Sequence, residues 1–227
     1  MASISQIQGV GLGLKRELIP QIQALYRQPE IANINFVEIA PENWVGVGGK
    51  SAKQLDWFVE RYPIVCHGLC LSLGGLAPLN ADFLKQVKSF LHQYQIPVYT
   101  EHLSYSTDGY KGEQGYLYDL LPIPFTEEAV HYVAKRIRQT QDILGQRIGI
   151  ENASFYVAAP VSEMNELTFL KAVLDEADCL LTSTSITFTS IALTSTLTRM
   201  SFYAASLVNV LPIATLLGIT NKLQIYW

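Results

Sequence analysis

Cysteine is scarce in this chain. Cys66, Cys70 and Cys179 are its only three, which is neither a disulfide framework nor a Cys-x-x-Cys pair. A reduced, cytoplasmic compartment is the expectation. Charge is also low, at 16% of residues with a net charge of −4. No basic stripe interleaves with aromatics, so nucleic acid is not an expected partner. The opening Met1-Ala2-Ser3-Ile4-Ser5-Gln6 has no basic segment followed by an apolar one, so no signal peptide is read there. Nothing before residue 180 is long and uncharged enough to cross a bilayer.

A sharper absence begins at residue 180. From there to residue 227 no Asp or Glu occurs, and only Arg199 and Lys222 are basic. Leu181 to Thr198 nearly alternates Thr and Ser with Ile and Leu, and Ala204 to Ile219 offers no polar face. Phe202 to Ile219 is 18 residues without charge, long enough to span a membrane. It contains Asn209 and Pro212, however, and no membrane role fits the remainder. The genetic code supplies a better reading. Codons for Leu-Asp-Ile-Asn-Asn-Val-Tyr-Val-Asn-Ser-Ile-Asn-Phe-Asp-Phe-Asp-Pro, read one base late, give the residues standing at Ser183 to Arg199. Residues 180–227 are therefore expected to be an anomalous, out-of-frame tail. Residues 1–179 are expected to be a partial (β/α) barrel.

What is present is a repeated strand–helix pattern. Gly9 to Leu14 and Phe36 to Ala40 read as strands, with a helix over Leu18 to Tyr26 between them. Ser51 to Arg61 reads as a helix with Ser51 as its N-cap. Another helix starts from Asn80 or Asp82 and runs to about Tyr94. A polar, Gly-rich loop covers Ser106 to Gly115. Thr126 before Glu127 and Glu128 suits a helix start, with the end near Leu144. A last helix is placed over Glu166 to Glu176. Such alternation predicts a parallel sheet with right-handed crossovers. An open doubly wound sheet competes, but Gly11-Leu12-Gly13 lacks the third glycine of a dinucleotide fingerprint. The favoured fold is α/β, a TIM-type barrel of the xylose-isomerase-like group truncated after five to six strands.

Three apolar runs end on metal-capable side chains: Pro63 to Gly68, Pro97 to Ser104 and Arg147 to Asn152. If these strands lie parallel, their C-terminal tips gather His67, His102 and Glu151 at one mouth, where barrel enzymes build sites. Imidazole and carboxylate with open positions suit Fe(II), and a carboxylate such as Glu151 can bridge two metals. Glu38, Glu101 and Asn152 are candidates to hold the ligand rings by their free N–H. Each residue also has a structural reading. A lone strand-end His is commonly a satisfied core residue, and Glu101-His102 can be a hydrogen-bonded pair. His92 and His131 sit on helices and should face solvent. Cys66 and Cys70 read as buried thiols, Trp44 as a packing residue near the mouth, and Gly74-Gly75 as a close turn.

Six motifs carry a resemblance. They are Gly11-Leu12-Gly13-Leu14-Lys15, Pro41-Glu42-Asn43-Trp44, His67 to Gly74, Glu101-His102-Leu103-Ser104, Leu121 to Thr126 and Ile150-Glu151-Asn152. In this order they resemble the multinuclear non-haem iron oxidases (MbnB/TglH-like), over residues 9 to about 179. The resemblance implies a TIM-type barrel with two or three iron ions at the strand C-termini. It implies oxidation of cysteine in a ribosomally made precursor peptide, with a small partner protein presenting that peptide. His67, His102 and Glu151 match family ligand positions. The next family motif, Leu-Asp-Val/Ile-Asn-Asn, is absent as protein and is recovered by the shifted reading. On that expectation the chain itself is incomplete and inactive. The competing readings are a divalent-metal sugar isomerase or phosphodiesterase on the same barrel, and a non-catalytic fragment.

Overall fold

The computed structural model describes residues 7–107, 116–152, 159–182 and 214–216. The parallel strands are β1 (Val10–Gly13), β2 (Ile34–Ile39), β3 (Ile64–Gly68) and β4 (Val98–Leu103). A hairpin of β5 (Tyr105–Thr107) and β6 (Tyr116–Leu121) follows, then β7 (Gly149–Asn152), β8 (Leu180–Thr182) and β9 (Ala214–Leu216). Helices α1 (Ile19–Leu25), α2 (Gly49–Val59), α3 (Ala81–Gln93), α4 (Glu127–Leu144) and α5 (Glu166–Ala177) alternate with the strands. The sheet runs in the order β8-β7-β4-β3-β2-β1-β9, with parallel pairing wherever the register is given. Strands in chain order, each returned by a helix, are the signature of a (β/α) barrel. The strands are apolar because helices cover them: β7 is buried at all four positions.

By internal contacts the chain forms two compact units, Met1–His67 with Ser89–Tyr99 and Pro212–Trp227, and Gly68–Lys88 with Thr100–Leu211. In the first, Phe36 and Phe58 are fully buried. Trp57 stands edge-on to both Tyr26 and Phe58. Gly11 is explained by packing, because a Cβ there would overlap the Phe36 ring. Gly11→Ala is therefore expected to cost about 1–3 kcal/mol, although alanine is otherwise the better strand residue. In a Phe36→Leu background most of that cost should vanish. Denaturant unfolding of the double-mutant cycle decides it, and strictly additive effects would refute the steric account.

In the second unit α4 begins where the sequence places it. The Thr126 side chain accepts from Ala129 N at 3.1 Å, and Gly145 ends the helix at φ 75°. Asn80 caps α3, accepting from Phe83 N at 3.0 Å, whereas Asp82 pairs with Lys85. Two local expectations are corrected. Ser51 is not an N-cap: α2 starts at Gly49 behind Gly48, with no side-chain cap. The segment from Ser106 is not wholly loop, because Ser106 lies in β5, which pairs antiparallel with β6. Residues 108–115 lie outside the described part. Most of the tail and of the uncharged Phe202 to Ile219 stretch is likewise outside it. No helix among the described residues is long and apolar enough to cross a membrane.

Arg136 organises the loop that follows β3. It is buried in α4 and donates to Ala77 O at 2.9 Å and to Ser72 O at 3.2 Å. One turn earlier, the Tyr132 hydroxyl donates to Gly75 O at 2.5 Å. Burial lowers the Arg136 pKa, and Tyr132 opposes that shift. Ser72 holds a left-handed backbone at φ 48°, and its Oγ accepts from Ser106 N (2.9 Å) and Thr107 N (3.2 Å). Gly75 N returns to Ser72 O at 2.7 Å, so Gly74-Gly75 is the close turn expected. A Cβ on Gly75 would stand 2.5 Å from Ser72 Oγ.

Candidate metal centre

Register builds the site. In the β4–β7 pair, Thr100 stands opposite Gly149, Glu101 opposite Ile150, His102 opposite Glu151 and Leu103 opposite Asn152. The cross-strand pair His102–Glu151 therefore presents an imidazole beside a carboxylate, with Nε2 to Oε2 at 3.8 Å. Both side chains are mostly buried, 14% and 11% exposed, so water screens them little. His67 ends the apolar run of β3. One donor atom each from His67, His102 and Glu151 lies within 4.8 Å of the others. That cluster could hold a metal ion.

The donor set fits a divalent transition metal. Burial holds the His67 pKa down at about 4, so the ring is neutral at physiological pH and keeps a lone pair for a metal. Glu151 is 8% exposed. A carboxylate buried to that degree requires a cation or strong hydrogen bonds, and two imidazoles with one carboxylate is a set that divalent iron, manganese and zinc accept.

Strand alternation separates the three supporting candidates, because successive side chains point to opposite faces. Glu38 stands opposite Val65 in the β2–β3 register, two residues before His67, so it shares the face of His67. Glu101 adjoins His102 and is 1% exposed, but it alternates to the other face of β4. Asn152 likewise alternates away from Glu151. Its carboxamide donates to Glu166 Oε1 at 3.0 Å. Glu166 is a residue that sequence reading placed only as a helix start. The signal available was Asn165, whose Oδ1 accepts from Thr168 N at 2.9 Å as the N-cap of α5. That fixes Glu166 in the first turn, where a carboxylate is favoured.

Trp44 is 3% exposed, as expected of a packing residue, and the Arg16 guanidinium stacks on it at 5.0 Å. His92 is exposed. His131 pairs with Glu176 at 2.7 Å on the outer surface, far from any role at the cluster in its 64% exposure. Cys66 and Cys179 are buried, whereas Cys70 is exposed, which corrects its reading as a buried thiol. Burial, with Glu42 and Glu38 nearby, pushes the Cys66 thiol well up, and burial pushes Cys179 to about 12. Thiolate is the reactive form. A disulfide reagent at pH 8 is therefore expected to modify one thiol per chain quickly and the other two only in denaturant. Cys70→Ser should remove the fast phase, and a fast phase that survives it would contradict the assignment.

Known proteins resemble this chain in sequence and in fold. Residues 9–183 match the sequence family described as RiPP precursor modification enzyme MbnB/TglH/ChrH. The chain is 56% identical over 179 residues to a UPF0276 protein of Nitrosospira multiformis, covering 79% of this chain and 60% of that protein. It is 54% identical over 178 residues to a UPF0276 protein of Alcanivorax borkumensis, covering 76% and 58%. The chain thus spans about three-fifths of the length of these relatives. Among solved structures, the apo 3-keto-D-glucoside 4-epimerase YcjR of E. coli matches with a TM-score of 0.56 at 10% identity, over 90% of this chain and 78% of that one. A D-allulose 3-epimerase from Methylomonas sp. matches with a TM-score of 0.54 at 10% identity, over 94% and 86%. At such identity the likeness shows the fold alone.

Proposed function

The chain belongs to the MbnB/TglH/ChrH family of precursor-peptide modification enzymes, and on that premise we propose that it carries the N-terminal part of an iron-dependent oxidase acting on cysteine in a ribosomally made peptide. The single observation that supports the metal is the His67, His102 and Glu151 cluster, whose donor atoms lie within 4.8 Å of one another. His67 and His102 would supply neutral imidazoles, and Glu151 an anionic oxygen. Iron bound there would supply Lewis acidity and one-electron chemistry with O2. The residues of this chain do the rest. The buried faces of β4 and β7 exclude water. The β4–β7 register holds the His102 ring against the Glu151 carboxylate. Glu38, on the His67 face, is placed to steady that side of the site. A precursor peptide and a small protein presenting it are the proposed partners, and the cytoplasm the proposed compartment.

We further propose that residues 180–227 are an out-of-frame translation of the family's next segment. The family match stops at residue 183, within a few residues of where acidic side chains cease. The gene sequence tests this. Restoring one base near codon 180 must open a frame beginning Leu-Asp-Ile-Asn-Asn, or the idea is wrong. The functional test uses that frame-restored protein. It is expected to retain iron through purification, with a Mössbauer signature of clustered iron, and to consume O2 with a cysteine-containing peptide. Zinc or manganese alone, with no O2 consumption, would favour the isomerase or phosphodiesterase reading instead.

A further inference from the structure

A second polar feature lies on the face of β4 and β7 opposite the metal cluster and is not used by it. Leu103 and Asn152, which directly follow His102 and Glu151 in the paired strands, line a small cavity together with Ile123, Phe125, Glu166 and Phe169. Its free volume of about 20 Å³ admits one water-sized group. Asn152 is 4% exposed, and its Oδ1 has no hydrogen-bond partner among the described residues. The orientation of this carboxamide is chemically forced. A carboxylate only accepts, so Glu166 Oε1 takes the Nδ2 side at 3.0 Å and Oδ1 is left over. A buried acceptor without a donor costs about 1–3 kcal/mol, so a donor seated in the cavity would be favoured.

We propose that this cavity is a subsite for a primary ammonium group, held by Asn152 Oδ1 and the Glu166 carboxylate. The proposal rests on the peptide reading above for its ligand, the amino group of a peptide laid across the tips of β4 and β7. Three arguments select this chemistry. The unpartnered Asn152 Oδ1 and the Glu166 carboxylate both accept, so a ligand that joins them must donate. An ammonium head is close to water in size. The apolar walls of Ile123, Phe125 and Phe169 exclude competing water and strengthen a charge-assisted bond. Burial pushes the Glu166 carboxyl up while the Asn152 bond pulls it down, as expected of a carboxylate that lacks a cation.

The test needs neither metal nor peptide. Methylammonium is titrated into the ¹⁵N-labelled chain while the Asn152 side-chain amide resonances are followed. A saturable shift is expected, with butylammonium, a tethered amine, binding as well and tetramethylammonium, which has no donor, not at all. Glu166→Gln keeps an acceptor for Nδ2 and removes the charge, so affinity should fall about tenfold, the gap between a charge-assisted and a neutral bond. Asn152→Leu should abolish the response. If that variant does not fold, the Glu166→Gln comparison decides alone. No saturable shift, an equal response to neutral formamide, or an affinity unchanged in Glu166→Gln would overturn the proposal. Binding of free ammonium chloride without butylammonium would overturn it as a peptide subsite. A protein that takes up no iron yet binds methylammonium loses the oxidase reading and keeps this one.

Discussion

Replacing Glu151 by alanine is expected to lower affinity for Co(II), a spectroscopic stand-in for iron, by more than about 100-fold. Outer partners of metal ligands alone are worth about 10–100-fold, and Glu151 is the one anionic donor of the cluster. The same loss is expected for His102→Ala, because the two side chains face each other in register, 3.8 Å apart. Glu151→Gln separates charge from shape: it preserves volume, and affinity should still collapse, since a neutral carboxamide oxygen is a poor substitute for a buried carboxylate. Asn152→Leu provides the control. Asn152 alternates to the other face of β7, so Co(II) affinity should stay within about tenfold of the parent, below the loss of any ligand. Visible absorption of Co(II), followed by competition with a chelator, measures each variant. The cluster is not a metal centre if Glu151→Ala and His102→Ala both leave Co(II) affinity within threefold of the parent while circular dichroism shows them folded.

Which features were legible in the sequence follows from the range over which each is encoded. The strand tips were legible because an apolar run that stops on His or Glu is a local pattern, and β3, β4 and β7 carry it within six or fewer residues each. The Thr126 cap was legible for the same reason. The hairpin was missed because glycines and polar residues from Ser106 onward masked the run of β6. Ser51 was misassigned because α2 is opened by backbone conformation at Gly48 and Gly49, the latter at φ 65°, which leaves no side-chain trace. Glu101 and Asn152 adjoin His102 and Glu151 in sequence, and a strand sends neighbours to opposite faces, so which ring either one would support is not written locally. Glu166 was invisible as a partner of Asn152 because 14 residues separate them. Contacts of that range are written only in the fold.

Arg136→Ala is expected to be among the most destabilising single changes in the chain. It removes the donors to Ser72 O and Ala77 O, and a hydrogen bond from a charged group contributes about 1.5–3 kcal/mol. Ala77 O would lose its side-chain donor and Ser72 O would keep only Gly75 N, so the loss of the two charge-assisted bonds amounts to about 3 kcal/mol. For a domain of this size that lowers Tm by roughly 10 °C. Arg136→Lys should recover only part of it, since an ammonium cannot span both carbonyls as the planar guanidinium does. Tyr132→Phe removes only the bond to Gly75 O and should cost about 1 kcal/mol. The consequence reaches the site, because the same loop is tied by Ser72 Oγ to Ser106 N and Thr107 N and by Gly74 N to Ser104 O. Ser104 lies two residues beyond His102. Amide hydrogen exchange should therefore rise at Ser106 and Thr107 in Arg136→Ala, ahead of global unfolding. If protection there is unchanged and Tm falls by less than about 3 °C, Arg136 is a packing residue and the loop holds itself.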